Sequence, residues 1–487
     1  MTATTLPELL LAAAREDPAR PFLLFEGTTR SRGEVADAVS RAAGWFARAG
    51  IGPGDRIAIL LHNEPEFLVA WLAASLVGAV IVPLDPKLRG EDLSERLQQT
   101  GPKAVIARRE AISAILALRD LAQPLRLIIV GDAPEGTTRW SELLQGPPAD
   151  PSFPSPDQPM EIIYTAGTTA RAHGVAWEHG FLSSQGLGLA QLLGLGRSDR
   201  LMIVLPLFAA NAQISVAMAL ATGASILLER EFVAARFWRS VRKGGATQVS
   251  LSGLLLSELQ ARRQGKTDAD HGLRLVFSIA TPKELHEAFE NRFGACVVEA
   301  FGLTEAGFVA VNPVERGRRK LGTAGLPVPW RTVAVLDERA RRLPAGVVGE
   351  ICVGSGTGWL RSGDLGVIDE EGFLTVIDRR EDVLRRGKET YSTRPIERAL
   401  ISHPAVVDAA VMALPDGRRD EPLALVVLRA PVSFEELARF CRQWLDGHPV
   451  PSCFKAVDEI PRTPSGRIRK RELRARPGLF EQLYRVA

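Results

Sequence analysis

The chain has 487 residues, too many for one ordinary core, so two or more domains are expected. Apolar residues make up 46% and charged ones 24%, as in globular proteins, and the net charge of +3 argues against a nucleic-acid partner. Cys296, Cys352, Cys441 and Cys453 lie far apart without a C-x-x-C pair, which predicts free thiols in a reducing cytoplasm.

In chain order, "ELLLAAARED" (Glu8–Asp17) predicts an amphipathic helix; it has neither the basic region nor the cleavage site of a secretion signal. The longest apolar run, "LVAWLAASLVGAVIVPL" (Leu68–Leu84), is broken by Gly78 and reads as a buried helix turning into a buried strand, not a membrane span. "RIAILL" (Arg56–Leu61), "GAVIVPL" (Gly78–Leu84), "KAVIA" (Lys103–Ala107), "LRLIIVG" (Leu125–Gly131) and "RLMIVLP" (Arg200–Pro206) are the clearest strands. Amphipathic stretches such as "EPEFLVAWLAASL" and "FWRSVRKGG" lie between them, a rhythm that predicts α/β layers with largely parallel sheets. "GPPADPSFPSPDQP" (Gly146–Pro159) is a Pro-rich surface linker. Beyond "VIDRRED" (Val376–Asp382) the units become short. The predicted fold is therefore a large multi-layer α/β domain over 1–380, followed by a small, mobile α+β domain over 381–487.

Four clusters carry possible chemistry. "MEIIYTAGTTARAHGV" (Met160–Val175) runs a short apolar strand into a Thr/Gly loop able to cradle phosphate oxygens, yet no Gly-Lys-Ser/Thr follows, and alone it reads equally as an ordinary turn. "EAFGLTEAG" (Glu299–Gly307) brings an aromatic face, a hydroxyl and a carboxylate together in Phe301, Thr304 and Glu305, suited to base stacking, phosphate contact and Mg²⁺. A capped helix start, with Thr304 and Glu305 in its first turn, fits the same residues as well. "WLRSGDLGVIDEEGFLTVIDRRED" (Trp359–Asp382) sets Asp364 in a Gly-Asp turn, where its carboxylate could accept both hydroxyls of a ribose; a hairpin with surface charge is the alternative. "PRTPSGRIRKREL" (Pro461–Leu473) is a Gly-containing turn followed by basic residues, and "GRIRKRELRARPG" (Gly466–Gly478) reads most simply as a solvated arginine-rich tail.

Taken together and in order, these segments resemble the adenylate-forming enzymes: acyl-CoA synthetases, peptide-synthetase adenylation domains and firefly-type luciferases. "YTAGTTARAHGV" is similar to that family's Tyr-Thr-Ser-Gly-Thr-Thr-Gly-x-Pro-Lys-Gly-Val loop, "FGLTE" to its Tyr-Gly-x-Thr-Glu turn, and "RSGDLG" to its Thr-Gly-Asp motif. "DRREDVLRRGKETYSTRPIE" resembles the hinge and following loop, and "PRTPSGRIRKREL" the C-terminal turn Pro-x-Thr-x-Ser-Gly-Lys-Ile. The wording around "LPLFAANAQ" and "VIDRR" is most like the CoA ligases, the carnitine-CoA ligase type among them.

The resemblance implies two steps: a carboxylate attacks the ATP α-phosphate to give acyl-AMP and pyrophosphate, and the CoA thiol then displaces AMP. It implies that Thr165, Thr168 and Thr169 line the phosphates, that Phe301, Gly302 and Thr304 receive the adenylate, and that Glu305 holds Mg²⁺. Asp364 and Arg379 would fix the ribose, Glu381 and Asp382 would form the hinge, and Phe208, Ala209 and Asn211 would line the acyl pocket. Arg467, Gly387 and Lys388 stand at the matching catalytic positions of the small domain.

The departures concentrate in the ATP half. Ala166, Ala170, Ala172 and His173 replace the loop's serine, glycine, proline and lysine, and Arg467 replaces the catalytic lysine. Arginine keeps the charge as a larger planar fork, and removing one transition-state donor typically costs on the order of 10²–10³ in rate. The expectation is an enzyme that joins acyl groups to CoA through acyl-AMP, with weak or absent adenylation and a separate ligase supplying the adenylate. Its substrate is expected to be a bulky apolar acid, because Ala209 stands where relatives often have a larger side chain. ATP and Mg²⁺ would be needed only if adenylation survives. A complete ligase, a carrier-protein-loading enzyme and a non-catalytic adenylate-binding scaffold are the alternatives. Lys388, in place of a second glycine, would either narrow the thiol tunnel or bind CoA phosphates.

Overall fold

A computed structural model describes residues 4–117, 125–150, 153–164, 173–356, 358–387, 389–416, 419–445, 447–462 and 468–486. The packing divides the chain into two compact units, one built mainly from residues 1–308 and the other mainly from 322–487.

The first unit is layered α/β, as the alternating strand and helix patterns predict. Its seven-stranded sheet runs in the order Thr138–Arg139, Arg126–Val130, Ala104–Arg108, Arg56–Leu60, Val80–Pro83, Pro159–Tyr164 and Gly174–Glu178. All neighbours are parallel except the last pair, Pro159–Tyr164 and Gly174–Glu178, which is antiparallel. A second sheet places Cys296–Leu303, Leu275–Ile279, Gln248–Ser252, Arg200–Ile203, Ser225–Leu228 and Pro21–Phe25 side by side in parallel. Parallel strands covered on both faces become nearly continuous apolar runs, and the buried side chains of Ile57–Leu61 and Val80–Val82 follow that rule.

The long apolar run behaves as read. Helix Pro65–Leu76 is buried from Phe67 onward, Gly78 turns the chain at φ +73°, and strand Val80–Pro83 follows. Among the described residues no helix is long and apolar enough to cross a membrane. The N-terminal helix, Leu6–Glu16, is closed by a capping box in which Thr5 and Glu8 satisfy each other's backbone N–H groups. The Pro-rich segment is bound to the protein surface: Ala149 N donates to Ser40 O at 2.8 Å, and Arg48 Nη1 reaches Pro147 O at 3.0 Å.

In the second unit a four-stranded antiparallel sheet, Val333–Leu336, Gly349–Ser355, Gly358–Ile368 and Leu374–Arg379, precedes a mixed six-stranded sheet over the C-terminal residues. The latter centres on the antiparallel pair Val406–Asp416 and Arg419–Leu428. Period-two alternation buries both faces of this pair. Ala409, Val411, Ala424 and Val426 pack with helices Arg394–Ser402 and Phe434–Trp444, while Ala410, Met412, Leu423 and Leu425 pack with Ile460, Leu473 and Leu479. All four cysteines are free thiols, and burial pushes that of Cys441 up to about 12.

The basic C-terminal segment is not a solvated tail throughout. Lys470 is buried in helix Lys470–Arg474, with Nζ 2.7 Å from Glu397 Oε1 and 2.6 Å from Thr393 Oγ1. Burying an ammonium requires such partners, and the neighbouring arginines hid this one charge from a reading by composition.

Candidate active site

Strand Pro159–Tyr164 precedes the Thr/Gly segment, whose Thr165, Thr168 and Thr169 lie outside the described residues, as do Lys388 and Arg467. His173, at the matching lysine position, is exposed. Two residues of the following segment reach the Phe301–Glu305 turn. Trp177, 2% exposed, donates from Nε1 to Thr304 O at 2.7 Å. Gln185, on helix His179–Leu192, accepts the Phe308 N–H at 3.1 Å.

The turn itself joins strands Cys296–Leu303 and Gly307–Val311; it does not start a helix. Ala306 N closes it onto Leu303 O at 3.2 Å. Two glycines make this possible. A Cβ on Gly302 would lie 2.8 Å from Gly307 O, and Gly307 takes φ +70° with Gln185 against it. Phe301 and Thr304 are half-buried, and Glu305 is exposed at the tip. Behind them Glu299 is buried and accepts the Thr281 N–H, at 3.1 Å to its nearer oxygen. Ala280, just before, sits at φ +59°, a strained value for a residue with a Cβ.

Asp364 and Arg379 are brought together by register. They are directly opposed in the antiparallel pair Gly358–Ile368 and Leu374–Arg379, with Arg379 Nε 3.3 Å from Asp364 Oδ1. Gly363 turns the chain at φ +72°, its N–H donating to Glu350 Oε1 at 3.2 Å. Asp364 N donates to Ser362 Oγ at 2.9 Å, and Arg379 Nη1 to Ser362 O at 2.7 Å. The two strands do form the hairpin of the alternative reading, but Asp364 is 2% exposed within it and does not belong to a charged surface.

Next to this pair, burial would raise the Asp378 carboxyl, but Arg394, Lys470 and the Ser392 hydroxyl outweigh it and hold it below the usual carboxylate range. Asp378 Oδ2 also accepts from Thr393 N and Oγ1, both at 3.0 Å. After it, Glu381 is exposed and Asp382 buried, and Arg474 Nη2 bonds to Glu381 O at 2.8 Å and Asp382 Oδ1 at 2.7 Å. Gly387 is exposed at φ +66°, in the turn between strands Leu384–Arg386 and Glu389–Tyr391.

Phe208, Ala209 and Asn211 stand together at the start of helix Ala210–Thr222, each half-buried. The amide nitrogen and oxygen of Asn211 are both buried without a hydrogen-bond partner. Upstream, Asn63 Nδ2 donates to Leu205 O at 2.9 Å and to Glu229 O at 3.0 Å. Phe301–Glu305 and Phe208–Asn211 thus belong to the first unit, and Asp364, Arg379, Glu381, Asp382 and Gly387 to the second.

The sequence reading missed Trp177, Gln185, Glu299 and Ala280. The first three are polar or amphipathic residues in apolar segments, a signal that was present but does not say which backbone group each one meets.

A family model described as AMP-binding enzyme matches residues 10–360, and one described as AMP-binding enzyme C-terminal domain matches residues 395–467. Crotonobetaine/carnitine–CoA ligases of Shigella sonnei and Escherichia coli O9:H4 are each 30% identical over 479 residues, covering 91% of this chain and 92% of theirs. Among solved structures, an o-succinylbenzoate CoA synthetase from Bacillus subtilis with its acyl-adenylate intermediate superposes with a TM-score of 0.83 at 26% identity, covering 97% of this chain and 99% of that one. An anthranilate CoA ligase with anthranoyl-AMP shares the fold, with a TM-score of 0.87 at 21% identity over 98% of this chain and 97% of that one. The chain belongs to the AMP-binding enzymes, within the acyl-CoA ligase family that works through an acyl-adenylate.

Proposed function

We propose that this enzyme forms acyl-CoA thioesters from preformed acyl-AMP and is weak or inactive in making the adenylate from ATP. One contrast carries the reading. Asp364 is buried and opposed to Arg379, a pair suited to a ribose, whereas Ala166, Ala170, Ala172 and His173 have replaced the phosphate loop's family residues and Arg467 the catalytic lysine. A separate adenylating ligase would supply the acyl-AMP.

In this account the Asp364 carboxylate accepts the ribose hydroxyls while Arg379 orients it. Phe301 offers a stacking face for adenine, with Gly302 allowing close approach, and Thr304 donates to the adenylate phosphate. Thr165, Thr168 and Thr169 would add hydroxyl contacts there. Where Mg²⁺ binds, Glu305 would hold it. A single exposed carboxylate fits an ion that takes one or two protein carboxylates and fills its shell from phosphate and water. Among the described residues no cluster of three His, Cys, Asp or Glu could hold a metal by itself. The ion would neutralise phosphate charge.

Residues 381–487 would turn as a body about Glu381–Asp382, so that Gly387 and Lys388 meet the CoA thiol while Arg467 moves away. The acid is read as bulky and mostly apolar, with the small residues Ala209, Ala210 and Ala212 leaving it room. The unpartnered Asn211 amide supports one polar group on that acid.

Calorimetry tests the contrast. AMP is expected to bind at least as tightly as ATP with Mg²⁺, since the β- and γ-phosphates find few contacts. ATP binding tighter than AMP by about tenfold or more, or ~1.4 kcal/mol, would overturn the reading.

A further inference from the structure

Between strand Arg200–Ile203 and helix Ala210–Thr222 the chain makes a turn over Pro206–Ala209, closed by Ala209 N donating to Pro206 O at 2.9 Å. That bond uses the first and last residues of the turn and leaves the backbone groups of the second, Leu207, without a partner inside it. Leu207 is 1% exposed, so its N–H and its C=O both have to be satisfied from elsewhere in the protein.

Two side chains do so. Leu207 N donates to Asn63 Oδ1 at 2.8 Å, and Leu207 O accepts from Gln213 Nε2 at 3.0 Å. Both side chains are buried. The N–H and the C=O belong to the two peptide planes on either side of Leu207, so the pair fixes the backbone angles that lead into Phe208, Ala209 and Asn211.

Asn63 is itself anchored. It follows strand Arg56–Leu60 of the seven-stranded sheet, and its Nδ2 donates to Leu205 O at 2.9 Å and to Glu229 O at 3.0 Å. Those carbonyls lie just past the ends of Arg200–Ile203 and Ser225–Leu228, neighbouring parallel strands of the second sheet. One amide therefore joins the carboxyl ends of strands from both sheets, the edge at which parallel α/β sheets bind ligands. A side chain needed only to join the sheets could stop at the two carbonyls; the third bond reaches the turn.

We infer that Asn63 and Gln213 are positioning residues that clamp the peptides around Leu207 and so set the shape of the acyl pocket wall, Phe208–Asn211. This rests on reading those residues as the acyl pocket. The clamp needs no contact with the acyl group: it holds the wall in one shape before binding, so the pocket selects among acyl groups instead of adapting to each.

The test uses the full chain, with AMP and benzoyl-AMP as probes in calorimetry and a melting curve for each variant. Gln213→Met keeps the length of the side chain and removes its donor; Asn63→Ala removes the acceptor and both donor bonds. AMP, which has no acyl group, is expected to bind wild type and variants alike. Benzoyl-AMP should bind Gln213→Met more weakly by roughly threefold to tenfold, as for one lost hydrogen bond. The double variant should be little weaker than Asn63→Ala alone, because a wall released at one peptide has little left to lose at the next. Lost stability by itself would lower the melting temperature without separating the two ligands. Equal benzoyl-AMP affinity in wild type and Gln213→Met, or an equal loss for AMP and benzoyl-AMP, would overturn the inference.

Amide hydrogen exchange supplies an arm that needs neither a ligand nor a folded Asn63→Ala. Exchange at Leu207 N–H should quicken by roughly threefold to tenfold in Gln213→Met, although its own acceptor, Asn63, is untouched. Unchanged exchange there would show that the two bonds do not act as one clamp, and would overturn the inference. Wild type binding neither AMP nor benzoyl-AMP, with the exchange result as expected, would instead sink the adenylate reading and leave the clamp without that task.

Discussion

Asp364 is oriented by Arg379 across the strand pair and by a turn whose backbone is tied to Glu350 and Ser362. A carboxylate fixed in this way accepts hydroxyls without first having to be ordered. Asp364→Ala should therefore weaken AMP binding by about 1.5–3 kcal/mol, the range for a hydrogen bond to a charged group, measured by calorimetry beside a melting curve that shows the fold intact. Unchanged affinity would remove Asp364 from the site. Arg467 tests the other half. If it limits adenylation, Arg467→Lys should raise ATP–pyrophosphate exchange; if the loop is the larger defect, His173→Lys with Ala170→Gly is needed as well. Thioester formation from acyl-AMP should barely respond to either. At this scale the sequence was readable where a residue type limits what a position can do: Phe301, Glu305 and Asp364 were named from their chemistry, and their roles at an adenylate are the proposal. It was unreadable where a side chain serves another residue: nothing around Trp177 says that it meets Thr304, since the two are distant in sequence and join only through packing.

The elements divide in the same way. Apolar periodicity was enough to predict the parallel strands and the buried helix Pro65–Leu76, because hydrophobic pattern is a local signal. The turn after Leu303 needed more: a capped helix start and a strand–turn–strand share the same local residues, and the close approach of Gly302 to Gly307 decided between them. Trp177→Phe removes only the Nε1–H donor to that turn, so AMP affinity should fall by about 0.5–1.5 kcal/mol with little change in melting temperature. Equal affinity would mean that the turn holds itself. Helix Lys283–Phe293 offers a pH test. Burial would raise Glu290, but His286, Arg319 and the Val297 N–H hold it down at about 2, against an ordinary 4.5. Because the folded value is the lower one, the stabilisation is present above about 4.5 and lost as pH falls towards 2. Unfolding measured between those limits should show a steeper acid loss in wild type than in Glu290→Gln. Equal slopes would show that the Glu290–Arg319 clamp contributes nothing to stability.

At the scale of the whole molecule, both the two-part organisation and the family were legible because five motifs kept their order along the chain, whereas the acyl group was not, since a pocket is assembled from residues that no motif orders. Arg474 links the C-terminal helix to Glu381 O and Asp382, the proposed hinge, so Arg474→Met should alter thioester formation while leaving AMP affinity unchanged. A shift in AMP affinity instead would mean that this link serves the proposed nucleotide site and not the proposed turning of residues 381–487. The central claim is a division of labour between two half-reactions, and a single comparison on the wild-type chain tests it most directly: ATP–pyrophosphate exchange across a panel of carboxylic acids, beside CoA thioester formation from the corresponding synthetic acyl-AMPs. The account predicts thioester formation with the bulky apolar members and exchange slower by at least about 10²-fold. Exchange that keeps pace with thioester formation, or acyl-AMP that is never converted, would contradict it.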